Sequence, residues 1–273
     1  MSRVPPKSLF VVAALSACAA LVACEKKEEP KPVAPAASSL APSVASPTSM
    51  VVKLKLDPKG STKIDMPAPQ EKIKAQTSAV EGHLDVDLMD VTQTRGEIKV
   101  DLTSLKTATF NDATKDGSQT AHALTWLEVA DAAKGKLADD VKAQNKFATF
   151  AIRSIDGVSQ KDLSKVTATP ENGMDVRSVD LVAHGELLVH GHRVNKDIAL
   201  TAKFSHPTGA LASTKPKSLK IVSKEPFKVT LAEHEVRPRD EVGKIAKAAF
   251  SILGTKVADM ASISVDFTAI PAE

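Results

Sequence analysis

Along residues 95–107, RGEIKVDLTSLKT, apolar and polar positions alternate until Thr103 and Ser104. Ile98, Val100 and Leu102 fall on one face, with Glu97, Lys99 and Asp101 on the other. A period of two marks a strand that is buried on one side and wet on the other. Much of 50–273 repeats this grammar. Residues 50–56 align Val52, Leu54 and Leu56, and the turn signal Asp57-Pro58-Lys59-Gly60 leads into a second run at 61–66. That arrangement predicts a hairpin. Pro67 and Pro69 end it, 71–78 reads as a weaker strand, and 83–88 aligns Leu84, Val86 and Leu88.

Residues 111–118 read as a polar loop. Trp126, Val129, Ala130 and Ala133 then share the face of a helix. A second helical piece is expected at 137–141. Strand grammar returns at 147–155 (Phe150, Ile152), 179–189 (Val179, Leu181, Leu187, Val189) and 198–204 (Ile198, Leu200, Ala202, Phe204). His190-Gly191-His192-Arg193 forms the turn between the last two, and Gly185 suits a bend. Further strands fall at 219–221, 227–231 and 262–270, the last with Ile263, Val265 and Phe267 inward. Asp240 suits the cap of a short helix carrying Val242, Ile245, Ala246 and Ala249, with Gly254 just past its end. The fold class expected is mainly β: an antiparallel barrel of about eight strands with two short helices. A two-sheet sandwich is the alternative.

Composition narrows the function classes. Aromatics make up 3% of the 273 residues, with no Tyr and one Trp, so base-stacking platforms are poorly supplied. The formal charge is +3, and it falls to +1 without Arg3 and Lys7, so a phosphate-backbone partner is not expected. Both cysteines, Cys18 and Cys24, lie at the N-terminus. The remainder can hold no disulfide, thiolate metal site or cysteine nucleophile.

Residues 1–23 join a short charged segment to an apolar run, LFVVAALSACAALVA, as an export signal does. The run ends in Leu21-Val22-Ala23-Cys24, which resembles a bacterial lipobox. The resemblance implies removal of 1–23, acylation of Cys24 and membrane attachment through the acyl chains. An ordinary cleaved signal and an uncleaved membrane helix are the alternatives. Glu25, where inner-membrane lipoproteins of enteric bacteria carry Asp, leans toward the outer membrane, facing the periplasm. Residues 24–49 then hold Pro30, Pro32, Pro35, Pro42 and Pro47 among Ala and Ser, the composition of an unfolded tether.

The order of motifs in 50–273 resembles the YceI-like family of polyisoprenoid-binding, lipocalin-like barrels. The motifs are the stretch from Gly96 to Thr107, Trp126-Leu127, Phe147-Ala148-Thr149-Phe150, the run from Gly185 to Gly191, and Leu253-Gly254. Asn111-Asp112 departs from the Arg-Asp usual there, while His122 matches an accompanying histidine. The resemblance implies an apolar tunnel for a quinone or polyprenyl lipid, with no required cofactor. Expected lining residues are Leu84, Val86, Ile98, Val100, Phe150, Ile152, Leu187, Leu200, Phe227, Val229, Val265 and Phe267. The alternative is a side-chain-filled barrel serving as a structural or interaction module.

Other chemistry is sparse. His184, Glu186 and His190, with His192 beside them, share a strand face that could hold a metal, although an ordinary solvated face explains them better. Asp85, Asp87 and Asp90 read as solvating carboxylates. No Gly-rich phosphate loop, zinc-protease helix or nucleophile elbow occurs, and no enzymatic activity is expected.

Overall fold

The computed structural model describes residues 50–67, 72–132, 135–241, 244–245 and 258–273. All of them fall within one unit of the chain, Ala37–Glu273. The expected signal (1–23), Cys24 and the tether (24–49) lie outside the described residues. No helix among the described residues is long and apolar enough to cross a membrane.

The chain opens with β1 (Val51–Leu56), β2 (Ser61–Pro67), β3 (Lys72–Thr77), β4 (Val80–Asp87), β5 (Arg95–Asp101) and the short β6 (Lys106–Thr107). Helices α1 (Ala113–Trp126) and α2 (Asp139–Asn145) follow. Next come β7 (Phe147–Asp156), β8 (Thr169–Glu171), β9 (Met174–Val189), β10 (His192–Pro207), β11 (Ser218–Ser223) and β12 (Phe227–Thr230). Short β13 (Arg239–Glu241) and β14 (Lys244–Ile245) precede β15 (Met260–Pro271).

Eight strands close a ring in the order β1-β4-β5-β7-β9-β10-β11-β15 and back to β1, every pair antiparallel. Closure settles the choice between barrel and sandwich. The strands β2, β3, β6 and β12 extend the wall along the first half of β15.

The alternation seen in the sequence becomes the barrel's inside and outside. Ile98 and Val100 of β5 are buried, and so are their cross-strand neighbour Phe150 on β7 and, beyond it, Leu187 on β9. Leu84, Val86, Leu200, Ile221 and Phe267 belong to the same apolar cluster.

Four local expectations need correction. First, β1 and β2 do not pair with each other. Both run antiparallel along one edge of β15, Leu54–Leu56 against 269–271 and Ser61–Asp65 against 262–266. Residues 57–60 therefore interrupt one long strand instead of reversing it, and the Asp57 N–H keeps its place in the ladder by donating to the Thr268 carbonyl at 2.8 Å. Second, α1 begins at Ala113, inside the stretch read as a loop, and ends at Trp126, where the helix was expected to continue. The Asp112 side chain accepts the Thr114 and Lys115 N–H groups and so starts the helix. Third, α2 starts at Asp139 and runs to Asn145, later than the expected 137–141. Fourth, Asp240 lies in β13, paired with β14, because the backbone hydrogen bonds run across to the partner segment and not along a helix. Ile245, also expected in that helix, lies in β14 opposite Arg239, while Val242, Ala246, Ala249 and Gly254 lie outside the described residues.

Two tight spots follow from glycine. The β9–β10 hairpin turns on His190-Gly191, both at positive φ (51° and 78°), the two-residue turn that matches strand twist. Gly185 faces a register shift between Ile152 and Ser154 of β7, and a Cβ there would meet the Ala151 carbonyl and the Phe150 ring. The bend expected at Gly185 sits at this close approach.

Candidate functional site

The barrel is hollow. Its interior holds a cavity of about 450 Å³, walled almost wholly by apolar side chains. That size falls in the range of about 300–1,000 Å³ typical of small-molecule sites. A side-chain-filled core predicts no such void, so the cavity counts against that alternative.

The structure places Leu84, Val86, Ile98, Val100, Phe150, Ile152, Leu187, Leu200, Phe227, Val229, Val265 and Phe267 at the wall of this cavity. The wall continues through residues that alternation did not single out. Thr62, Ile64 and Met66 come from β2, and Ile73, Ala75 and Thr77 from β3. Helix α1 adds Gln119, His122, Ala123 and Trp126, a stripe at i, i+3, i+4 and i+7. This stripe is hard to read in the sequence because half of it is polar.

Position and chemistry of α1 are tied to the sheet. Thr107 of β6 donates its hydroxyl to the Asp116 carbonyl at 2.7 Å, and its N–H donates to the Thr120 hydroxyl at 2.9 Å. The Asp116 carboxylate takes the Thr109 and Phe110 N–H groups at 2.8 and 2.9 Å. The N–H groups of Phe110, Asp112 and Thr109 hold its carboxyl below the usual carboxylate range. Asn111, which departs from the family's Arg, occupies a left-handed turn position at φ 52° directly before the capping Asp112.

His234, on the cavity wall, belongs to a histidine cluster. His234 is 1% exposed, and its Nδ1 lies 3.1 Å from the His192 carbonyl. A carbonyl can only accept, so Nδ1 carries the hydrogen. Burial pushes the His234 pKa down, leaving a neutral ring whose Nε2 has no partner in the protein. His190 places Nδ1 3.2 Å from the His234 carbonyl and Nε2 2.7 Å from a Glu128 carboxylate oxygen.

The face formed by His184, Glu186 and His190 does not assemble. The positive φ of His190 takes it out of the strand's alternation and into the buried contacts just described. Glu186 pairs with Arg153 at 2.7 Å and Arg193 at 3.4 Å. His184 sits between Asp156 at 2.9 Å and Asp197 at 2.6 Å, and these carboxylates raise its pKa. His192 lies 3.7 Å from Glu235. Among the described residues no group of three or more potential ligands could hold a metal ion.

Asp87 also differs from expectation. It is 5% exposed and accepts N–H groups of Met50, Met89 and Asp90, so it organises a turn and is not merely solvated. Asp90 caps the 3-10 turn Val91–Gln93. Asp85 lies opposite Arg95 in the β4–β5 ladder.

Compared with protein-family models and with curated proteins, the sequence has no match. Among solved structures, the chain is similar to Burkholderia cenocepacia BcnA at 11% identity and TM-score 0.46, over 78% of this chain and 98% of that one. It is similar to a polyisoprenoid binding domain from Saccharophagus degradans, implicated in plant cell wall breakdown, at 12% identity and TM-score 0.45, over 81% and 99%. The Campylobacter jejuni YCEI protein gives 16% identity and TM-score 0.38, over 73% and 85%. The chain is similar to YceI proteins.

Proposed function

We propose that this protein is a non-enzymatic component of the cell envelope that binds an isoprenoid-type lipid, a quinone or polyprenyl chain, inside its barrel. The observation that carries the reading is the apolar cavity of about 450 Å³ within a closed ring of strands. Such an interior favours a slim hydrocarbon, because removing its surface from water contributes roughly 25 cal/mol per Å². The ordered motifs from Gly96 to Gly191 support the isoprenoid class, through their resemblance to YceI-like sequences. A carrier or storage role is the reading that such an apolar enclosure supports.

Organic extraction of gently purified full-length protein, followed by mass spectrometry, tests the ligand. The expected result is an isoprenoid lipid in near-stoichiometric amount. Protein recovered empty that also fails to take up ubiquinone or a polyprenol would overturn the reading.

The lipobox Leu21-Val22-Ala23-Cys24 supports attachment to the membrane, in the outer membrane facing the periplasm, with 24–49 as tether. Cys24→Ser is expected to shift the protein from the membrane to the soluble fraction and to remove acyl mass from the mature N-terminus. Unchanged membrane retention by the variant would refute the anchor.

A further inference from the structure

Within a mostly apolar wall that also holds Thr94, Gln119, His122 and His234, two hydroxyls stand out as an unpaired couple. Thr62 of β2 and Thr77 of β3 are direct cross-strand partners and both line the cavity. They are 6% and 2% exposed, and neither Oγ1 has a hydrogen-bond partner in the protein. Directly opposed residues of an antiparallel pair hold their Cβ atoms only about 5 Å apart. The two hydroxyls can therefore address one oxygen atom placed between them. Buried polar atoms in native structures are nearly always paired, so an unpaired couple on a cavity wall points to a partner supplied by whatever fills the cavity.

We propose that Thr62 and Thr77 form a head-group subsite selecting an isoprenoid that carries an uncharged oxygen, an alcohol or a quinone carbonyl, over a bare hydrocarbon or a phosphorylated chain. This inference rests on the lipid-binding reading and adds the chemistry of one polar spot on the wall. Each hydroxyl can donate to a carbonyl oxygen, and each can donate to or accept from an alcohol. A phosphate would need cationic partners to offset its lost hydration. Among the described residues the lining groups that ionise are His122 and His234 alone. Valine reproduces the shape of threonine without the hydroxyl, so the double variant T62V/T77V removes two unpaired polar atoms and keeps the wall.

The test uses the full chain and four probes: a short-chain ubiquinone analogue, geranylgeraniol, geranylgeranyl phosphate and the hydrocarbon phytane. Binding is measured by competition in detergent for the wild type and for T62V/T77V, with a urea melt confirming that the variant folds. The wild type is expected to bind the alcohol and the quinone at least about tenfold more tightly than phytane, the size of one net hydrogen bond. In T62V/T77V that preference disappears while phytane affinity holds. A preference that survives in T62V/T77V overturns the subsite. So does geranylgeranyl phosphate binding as tightly as the alcohol. Equal binding of phytane, alcohol and quinone by the wild type overturns the subsite and leaves the lipid reading standing. Failure of every probe overturns both.

Discussion

Ala148→Leu distinguishes a hollow barrel from a packed one by the sign of a stability change. Ala148 lies on β7 opposite Val100, lines the cavity and is only partly buried despite facing inward. Leucine adds three carbons. If they enter empty apolar space, burial at about 0.8 kcal/mol per methylene contributes at most about 2.4 kcal/mol. Ordering the longer side chain takes back about 0.5–1 kcal/mol. A net gain of roughly 1.5 kcal/mol follows, which at an m-value of about 2 kcal/mol/M moves the urea midpoint up by about 0.7 M. In a filled core the same change is overpacking and costs about 1–3 kcal/mol. Urea unfolding of lipid-free protein, followed by the fluorescence of the single Trp126, reads the shift. The added group also occupies ligand space, so affinity for an isoprenoid should drop in the same variant. A lowered midpoint at unchanged m would refute the hollow interior.

Three further outcomes are expected. Leu54→Ala, at a 1% exposed position of β1, should lose about 2–5 kcal/mol in the same unfolding assay. Asp87→Ala orphans the N–H groups of Met50, Met89 and Asp90, and a loss of about 1–3 kcal/mol in urea would be measured. Burial depresses the pKa values of both His206 and His234 below their ordinary 6.5, so the unfolded chain takes up protons that the folded one refuses. The stability these residues contribute is full above about pH 6.5 and is lost as pH falls from there toward their folded values. His184, whose pKa Asp156 and Asp197 raise, acts in the opposite sense, so the comparison is between proteins: the midpoint of His234→Gln should fall less, or rise more, from pH 7.5 to 5.5 than that of the wild type, and an unchanged pH response counts against the assignment.

The ring was largely legible in the chain, because Ile98, Val100, Phe150, Ile152, Leu187 and Leu200 obey strict alternation and burial needs no other information. Connectivity was not. Asp57-Pro58-Lys59-Gly60 has turn composition, yet the long edge of β15 draws the residues on both sides of it into one continuous pairing. Helix α1 was displaced in the reading because its cavity-facing stripe mixes Gln119 and His122 with Ala123 and Trp126. His190 defeated the strand-face argument, since a left-handed turn residue no longer follows the two-residue period. Thr62 and Thr77 passed unnoticed for a simpler reason. A hydroxyl on an inward position reads as a weak strand until the missing hydrogen bonds are seen.

The seam of the barrel joins β15 to β1, the final strand to the first. The cylinder can be sealed only once residues 269–271 are free to pair with residues 54–56. Until then the sheet stays open. It also carries naked ladder edges that invite sticking to neighbours. Trimming the chain before Met260 should therefore yield an aggregating product instead of a smaller barrel.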